Sequence, residues 1–339
     1  FTANVGETLN LSETLGGGNA GQYTATLACD NSVTVGGTGD FVVPATATNC
    51  TVTNTRKTTT ITLKKAWSAA AISDTASVIL KRGAATVDTL ASTADTATET
   101  DTDGTPFTAN VGETLNLSET LGGANAGQYT ATLACDNSVT VGGTGDFVVP
   151  ATATNCTVTN TRQTATLQIA KAWSGTSPAT DSATIGVTTG GLNNTTSFTT
   201  AGGTSANSGT AVTVAVGNTI TFPAETGTNI GNYNTVLSCL AGGGATANTL
   251  SGTNGQVSNT LVIGAGDSGK AIVCTYTNTR KTTTITLKKA WSTAAVNDTA
   301  SVLLKRGAAT VDTLASTANT ATETDTDGTP FTANVGETL

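Results

Sequence analysis

Histidine and methionine are both missing from the 339-residue chain, charged residues make up only 11% of it and aromatic residues 4%. Without histidine there is no Ser-His-Asp or Cys-His pair to activate a nucleophile. No glycine-rich loop runs into Lys-Ser or Lys-Thr, so a phosphate-binding loop is excluded too. Carboxylate chemistry alone remains, and no pattern points to a substrate for it, so the chain does not read as an enzyme. Cations are scarce, with 15 Lys and Arg against 23 Asp and Glu. They cluster no further than the Lys64-Lys65 and Lys81-Arg82 pairs and their repeats, too little to neutralise nucleic-acid phosphates or an anionic membrane. No apolar run approaches the roughly 20 residues that span a bilayer, and no stretch of useful length has the 3.6-residue period of an amphipathic helix. The chain opens on Phe1 without Met or a signal peptide, which leads us to expect an excerpt from a longer precursor.

Thr, Ala, Gly, Val and Asn dominate what is there. β-Branched residues suit pleated surfaces, and Gly and Asn suit tight turns, so the composition favours strands and hairpins. The string FTANVGETL recurs at Phe1, Phe107 and Phe331, and TTTITLKKAWS starts at Thr58 and Thr282. Each repeat breaks after TNTR, at Arg56, Arg162 and Arg280. The chain therefore divides into 1–56, the C-terminal part of a truncated module; 57–162, a complete module; 163–280, a complete but divergent module; and 281–339, the N-terminal part of a truncated module. Short alternating stretches punctuated by Gly, Asn, Asp and Pro at roughly 8–12-residue intervals predict β-sandwiches. In the complete module strands are expected at 60–66, 75–81, 84–90, 107–111, 113–118, 128–134, 138–142 and 155–161, with 98–106 as a turn about Asp103-Gly104. The fold class is all-β, a linear array of tandem Ig-like β-sandwich modules. Both end segments are expected to be completed by sequence outside the chain, by continuing polypeptide or by strand donation from a neighbouring subunit, because a half-sandwich exposes apolar faces and open edges.

Six cysteines fall in pairs, Cys29 with Cys50, Cys135 with Cys156, and Cys239 with Cys274. Each pair has one member in the strand after a Gly-x-Tyr and the other just before TNTR. A zinc site needs more ligands than each module holds, so disulfides are expected and metals and cofactors are not. Such bridges place the protein in an oxidising compartment, at the cell surface or outside the cell.

Alternation puts Ile61, Leu63 and Lys65 on one face of the first strand, Cys156, Val158 and Asn160 on one face of the last, and Leu115, Leu117 and Glu119 on one face between them. A lysine, a glutamate and an asparagine thus share an apolar interior. They either sit at strand ends, with Lys snorkelling to water and Asn closing a turn, or converge. If they converge, a desolvated lysine loses its proton and attacks the asparagine carboxamide while the glutamic acid shuttles protons and ammonia leaves, giving an isopeptide bond. The order of a first-strand Lys, then LSETLGGANAGQY, then TVTNTR resembles the Cna B-type, SpaA-like prealbumin-fold domains of bacterial surface proteins and pilins. That resemblance implies Lys65, Glu119 and Asn160 as one triad and Lys171, Glu225 and Asn278 as another. Lys289 in one truncated module and Glu13 with Asn54 in the other are the same groups, separated. Glu225 faces inward only if Pro223-Ala224 forms a bulge.

Two further groups were weighed. Glu99, Asp101 and Asp103 alternate before a Gly, but they supply only part of the about six to eight oxygens a calcium loop needs, which favours a solvated hairpin end. Trp67, Trp173 and Trp291 each follow Lys-Ala and fit packing better than a sugar platform. The expected function is a structural one: an extracellular bacterial fibre, filament or surface stalk whose partners are other copies of the repeat. The rival, an adhesin module binding a host protein or glycan, suits less well, since 1–56 and 107–162 differ only at Gly18 against Ala124 and a binding tip need occur only once.

Overall fold

The computed structural model describes residues 1–175, 177–189, 195–201, 207–222, 224–242, 245–251 and 259–339. Among them the regular elements are strands and three-residue 3-10 turns, and no helix is long and apolar enough to cross a membrane. The chain divides into two units, 1–162 and 163–339.

In the first unit, residues 58–162 close a two-sheet sandwich. One sheet runs in the order Asp146–Val148, Thr114–Gly122, Thr75–Arg82, Ala85–Thr93. The other runs Tyr129–Cys135, Thr154–Arg162, Thr58–Ser68, with Glu99–Thr102 and Phe107–Asn110 sharing the outer edge of Thr58–Ser68. Period-two alternation sends Ile61, Leu63, Lys65 and Trp67 inward, all at 1% exposure or less. Ile61 and Leu63 pack with Val78, Leu80, Leu115, Leu117, Phe147 and Val158, and Trp67 with Ala70, Ala76, Ala94 and Tyr129. First and last strands are parallel neighbours, with Val158 opposite Lys65 and Asn160 opposite Trp67. Parallel neighbours need a long crossover, and here the rest of the module is that crossover.

Two local expectations are corrected. Residues 99–102 form a strand, laddered on Lys64–Trp67, because Glu99 and Asp101 find hydrogen-bond partners and need no turn; only residues 103–106 leave the ladder. Residues 138–142 form no strand. Asn137 and Ser138 adopt left-handed backbone (φ 54° and 61°), so Val139 and Val141 reach the core without pairing. The strand is Asp146–Val148, opposite Thr114–Asn116. Gly145 sets it up: at φ +89° its carbonyl accepts from the Leu117 N–H at 2.8 Å, and a Cβ there would lie 2.1 Å from the Leu117 carbonyl oxygen.

In the second unit the divergent sequence repeats the plan. Thr164–Ser174 lies parallel to Ala271–Arg280, with Tyr276 opposite Lys171 and Asn278 opposite Trp173. The second sheet is built on Ser182–Thr189 and Thr219–Phe222. Leu167, Ile169, Ile185, Ile220, Phe222 and Leu237 fill the core.

The end segments keep the registers of the intact module. Leu9 stands opposite Phe41 and Cys29 opposite Cys50 in the first, and Lys289 stands opposite Asp325 in the second. Each remains a set of two-stranded ladders. Val52 and Asn54 are half-buried where Val158 and Asn160 are fully buried, and Leu304 is half-buried where Leu80 is fully buried. The single chain therefore holds both as open half-sandwiches, the arrangement the sequence reading expected not to stand alone. The TNTR arginine straps each junction that lies inside a unit. Arg56 donates to Gln22 Oε1 (2.8 Å) and the Val111 carbonyl (3.0 Å), and Arg280 donates to the Val335 carbonyl (2.9 Å).

Candidate functional site

Lys65 owes its position to strand period alone: it lies in the inward row between Leu63 and Trp67 and is fully buried. Its Nζ lies 3.5 Å from Glu119 Oε1 and donates to the Ala66 carbonyl at 2.9 Å. The Trp67 ring lies beneath the ammonium, 3.8 Å from Nζ to centroid. Asn160 Nδ2 donates to the same Glu119 Oε1 at 2.9 Å, while Asn160 Oδ1 has no hydrogen-bond partner. The glutamate therefore bridges lysine and asparagine across the sandwich. Burial lowers the Lys65 pKa; Glu119 first and then Asp101 oppose the shift. This is the direction that favours a free amine.

The divergent module assembles the same three residue types from different surroundings. Lys171 and Asn278 are fully buried and Glu225 is 4% exposed, and Lys171 Nζ lies 3.1 Å from Glu225 Oε1. Burial brings the Lys171 pKa down to about 8, against the raising effect of Glu225. Trp173 lies 4.5 Å beneath the ammonium. Glu225 is buried as the sequence required; of the stretch expected to bulge, Pro223 lies outside the described residues. Each half-module holds only part of the set. Asn54 Nδ2 donates to Glu13 Oε1 (2.8 Å) on an exposed face, and Lys289 donates to the Ala290 carbonyl (2.8 Å) above the Trp291 ring.

The cysteines form three disulfides, Cys29–Cys50, Cys135–Cys156 and Cys239–Cys274. Each joins residues directly opposite in an antiparallel ladder. They therefore link neighbouring strands within one sheet and do not tie the two sheets together. The acidic residues before Gly104 are spent on local bonds: Glu99 accepts from the Asp95 and Thr96 N–H groups, Asp101 from Ser92 Oγ at 2.5 Å, and Asp103 from Thr105. Trp67 donates to the same Ser92 (2.8 Å) and packs edge-on against Tyr129, so it is core and presents no sugar platform.

Sequence reasoning missed two features. Tyr129 donates a short hydrogen bond to buried Asp74, which Asn125 also supports; burial and Asp74 push the tyrosine up to about 12. Tyr233, Asp181 and Asn229 repeat the cluster. Recurrence of an Asp just before the second strand, together with the Gly-x-Tyr, was the available signal. The other is Thr235, whose hydroxyl lies 2.8 Å from Asn278 Oδ1 and 3.0 Å from Glu225 Oε2. Its counterpart in the first module is Ala131, so the repeat itself hides it.

Residues 166–280 match a family model described as a prealbumin-like fold domain, of the SpaA type. The divergent module is thus similar to SpaA-type prealbumin-like domains over nearly its whole length. No curated protein matches the chain in sequence. Among solved structures, the T-13 major pilin of Streptococcus pyogenes is similar at 13% identity over 67% of this chain and 98% of the pilin (TM-score 0.35). The T3.2 major pilin of the same species is similar at 14% over 66% and 99% (TM-score 0.36). An adhesin of Mobiluncus mulieris, described as containing intramolecular disulfide, isopeptide and ester cross-links, is similar at 12% over 62% and 87% (TM-score 0.28). A buried lysine beside a glutamate, with an asparagine on the neighbouring closing strand, stands in the matched module and in the shorter repeat alike.

Proposed function

We propose that the chain is a structural repeat region of an extracellular bacterial fibre, filament or surface stalk, and that each complete module is locked by a lysine–asparagine isopeptide bond. The observation that carries this is the convergence of Lys65, Glu119 and Asn160, repeated by Lys171, Glu225 and Asn278 in a module whose surrounding sequence has diverged. A buried ion pair contributes little net stability, so keeping the set twice argues for chemistry. The lysine passes a proton to the glutamate, and the free amine attacks Asn160 Cγ. The C–N bond to lysine forms, the bond to Nδ2 breaks, and ammonia leaves with a proton delivered through the carboxyl group. Nothing is oxidised or reduced.

Mechanics follows from topology. Module ends lie on parallel neighbouring strands, so a pull along the fibre shears Thr58–Ser68 against Thr154–Arg162. A covalent bond between residues 65 and 160 passes that load directly across and leaves the remaining strands unloaded. The partners in this reading are further copies of the repeat, since 281–339 offers the strands that 1–56 lacks. The reduced full-length chain should be lighter by two ammonias in intact mass, and Glu119→Ala should restore one of them. An unshifted wild-type mass refutes the bond and leaves the sandwich fold untouched.

A further inference from the structure

The two triads are wired differently, and the difference rests on one residue. In the first module Asn160 turns its amide nitrogen to Glu119 and leaves Oδ1 without a partner. In the divergent module Asn278 turns Oδ1 to the Thr235 hydroxyl and leaves Nδ2 without one. Thr235 is fully buried, and its hydroxyl touches Asn278 Oδ1 and Glu225 Oε2 at once. A hydroxyl has one proton. While Glu225 is ionised, its oxygen and the Asn278 carbonyl oxygen both only accept and compete for that proton; the proton is free for Asn278 once the carboxyl group carries a proton of its own and donates it to Thr235. Lys171, 3.1 Å from the other oxygen of the same carboxyl group, is its source.

We propose that Thr235 is a positioning residue of the divergent module: it relays the Glu225 carboxyl proton to the Asn278 carbonyl oxygen while Lys171 attacks. The inference rests on the isopeptide reading above. As the Lys171 nitrogen bonds to Asn278 Cγ, negative charge grows on Oδ1, and the Thr235 hydroxyl meets it with a preorganised donor while Glu225 replenishes that donor from behind. On collapse the two relay protons move back, the surplus proton on the attacking Lys171 nitrogen passes to Nδ2, Cγ–Nδ2 breaks and ammonia departs, leaving a secondary amide. In the first module, where Ala131 takes this place, the carboxyl group must reach the amide directly and the asparagine must turn.

The test follows bond formation in the full chain, recovered unfolded and unjoined from inclusion bodies, refolded by dilution from denaturant, sampled over time, reduced and digested with trypsin. The bond joins Gln163–Lys270 to Ala271–Arg280, because Lys171 is no longer cleaved. Thr235→Val keeps the branched shape and removes the donor; losing one oxyanion donor should slow joining by about 100-fold. Thr235→Ser should restore most of the rate. The first module's bond, in the same samples, should keep its rate in every variant. Formation of the Cys239–Cys274 disulfide, read in aliquots left unreduced, reports folding, and Thr235→Ala replaces the valine variant if that disulfide fails to form. Equal rates for wild type and the valine variant overturn the relay and leave the isopeptide standing. Absence of the joined peptides in wild type overturns both for this module. Loss of the second ammonia, the one beyond the first module's, that survives Lys171→Ala, or a link that maps to Thr235 and yields to hydroxylamine, assigns Thr235 as nucleophile and overturns the relay.

Discussion

Removing the carboxamide from the divergent module turns its lysine into a pH sensor, and the size of the effect can be worked out. In Asn278→Ala the bond has no acceptor, while Lys171 keeps its place beside Glu225 and above Trp173. Buried there, its pKa lies at about 8 against an ordinary 10.5. Between those values the unfolded chain holds a proton that the folded module has released, so folding stability rises with pH across that window. The contribution is fully present above the ordinary lysine value and is lost as pH falls through about 8. The gap corresponds to about 3 kcal/mol. With the proposed bond formed, the same nitrogen in the wild type is an amide that does not titrate, and this slope should be absent. Urea denaturation of segment 163–280, whose strands close both of its sheets without help from outside, should be measured from pH 7 to pH 11. The reference is Lys171→Met/Asn278→Ala, which subtracts every other titrating group. A flat difference between single and double variant refutes the buried-lysine argument. A wild type that follows the single variant shows that Lys171 is a free amine and that no bond has formed.

Gly145→Ala should destabilise the first sandwich by about 1–3 kcal/mol, because the left-handed backbone and the Leu117 carbonyl oxygen both oppose a side chain there; a denaturation midpoint equal to wild type contradicts the geometry. Replacing Cys135 and Cys156 by Ser should cost roughly 3 kcal/mol by freeing the unfolded loop, measured the same way, with the module still folded. Tyr129→Phe leaves buried Asp74 short of its hydroxyl donor and should lower stability by about 1–3 kcal/mol, whereas Asp74→Asn together with Tyr129→Phe should recover part of that loss. Arg56→Ala removes the strap to Gln22 and Val111, so trypsin should cut after Lys57 faster than in wild type, with module stability unchanged.

Much of this architecture is legible because period-two alternation is a strong signal wherever one face of a strand is buried. It places Ile61, Leu63 and Lys65 inward, and Cys156, Val158 and Asn160 opposite them, with no reference to tertiary structure. It misleads at 138–142, where Val139 and Val141 do reach the core but two left-handed residues keep their backbone off any ladder. It is silent at 99–102, because a strand whose inward row is Glu99 and Asp101 shows no apolar pattern. Asp101 is inward only because Ser92 is there to donate to it, and that partner belongs to another strand. Thr235 was illegible for a related reason. A threonine at an inward strand position reads as an ordinary β-former, and only the distances to Asn278 and Glu225 give its hydroxyl a task.

The disulfide would not make the proposed lysine bond redundant, because the two links would tie the closing strand to different neighbours. Cys135–Cys156 joins Thr154–Arg162 to Tyr129–Cys135, on the side away from the first strand. Tension entering at Thr58 and leaving at Arg162 runs through the parallel pair Thr58–Ser68 and Thr154–Arg162, and no cysteine lies on the first of these. Oxidising the cysteines therefore shortens the slack available after the sandwich has opened and leaves the force needed to open it to hydrogen bonds and packing. A bond from Lys65 to Asn160 crosses the loaded pair itself. The two cross-links should then separate in single-molecule pulling of the full chain. Reduction should lengthen only the extension released by modules that already unfold, whereas Glu119→Ala should convert the first complete module from one that does not unfold into one that does. If reduction alone makes that module extensible, the load runs through the disulfide and the assignment of the mechanical lock to Lys65 and Asn160 is wrong.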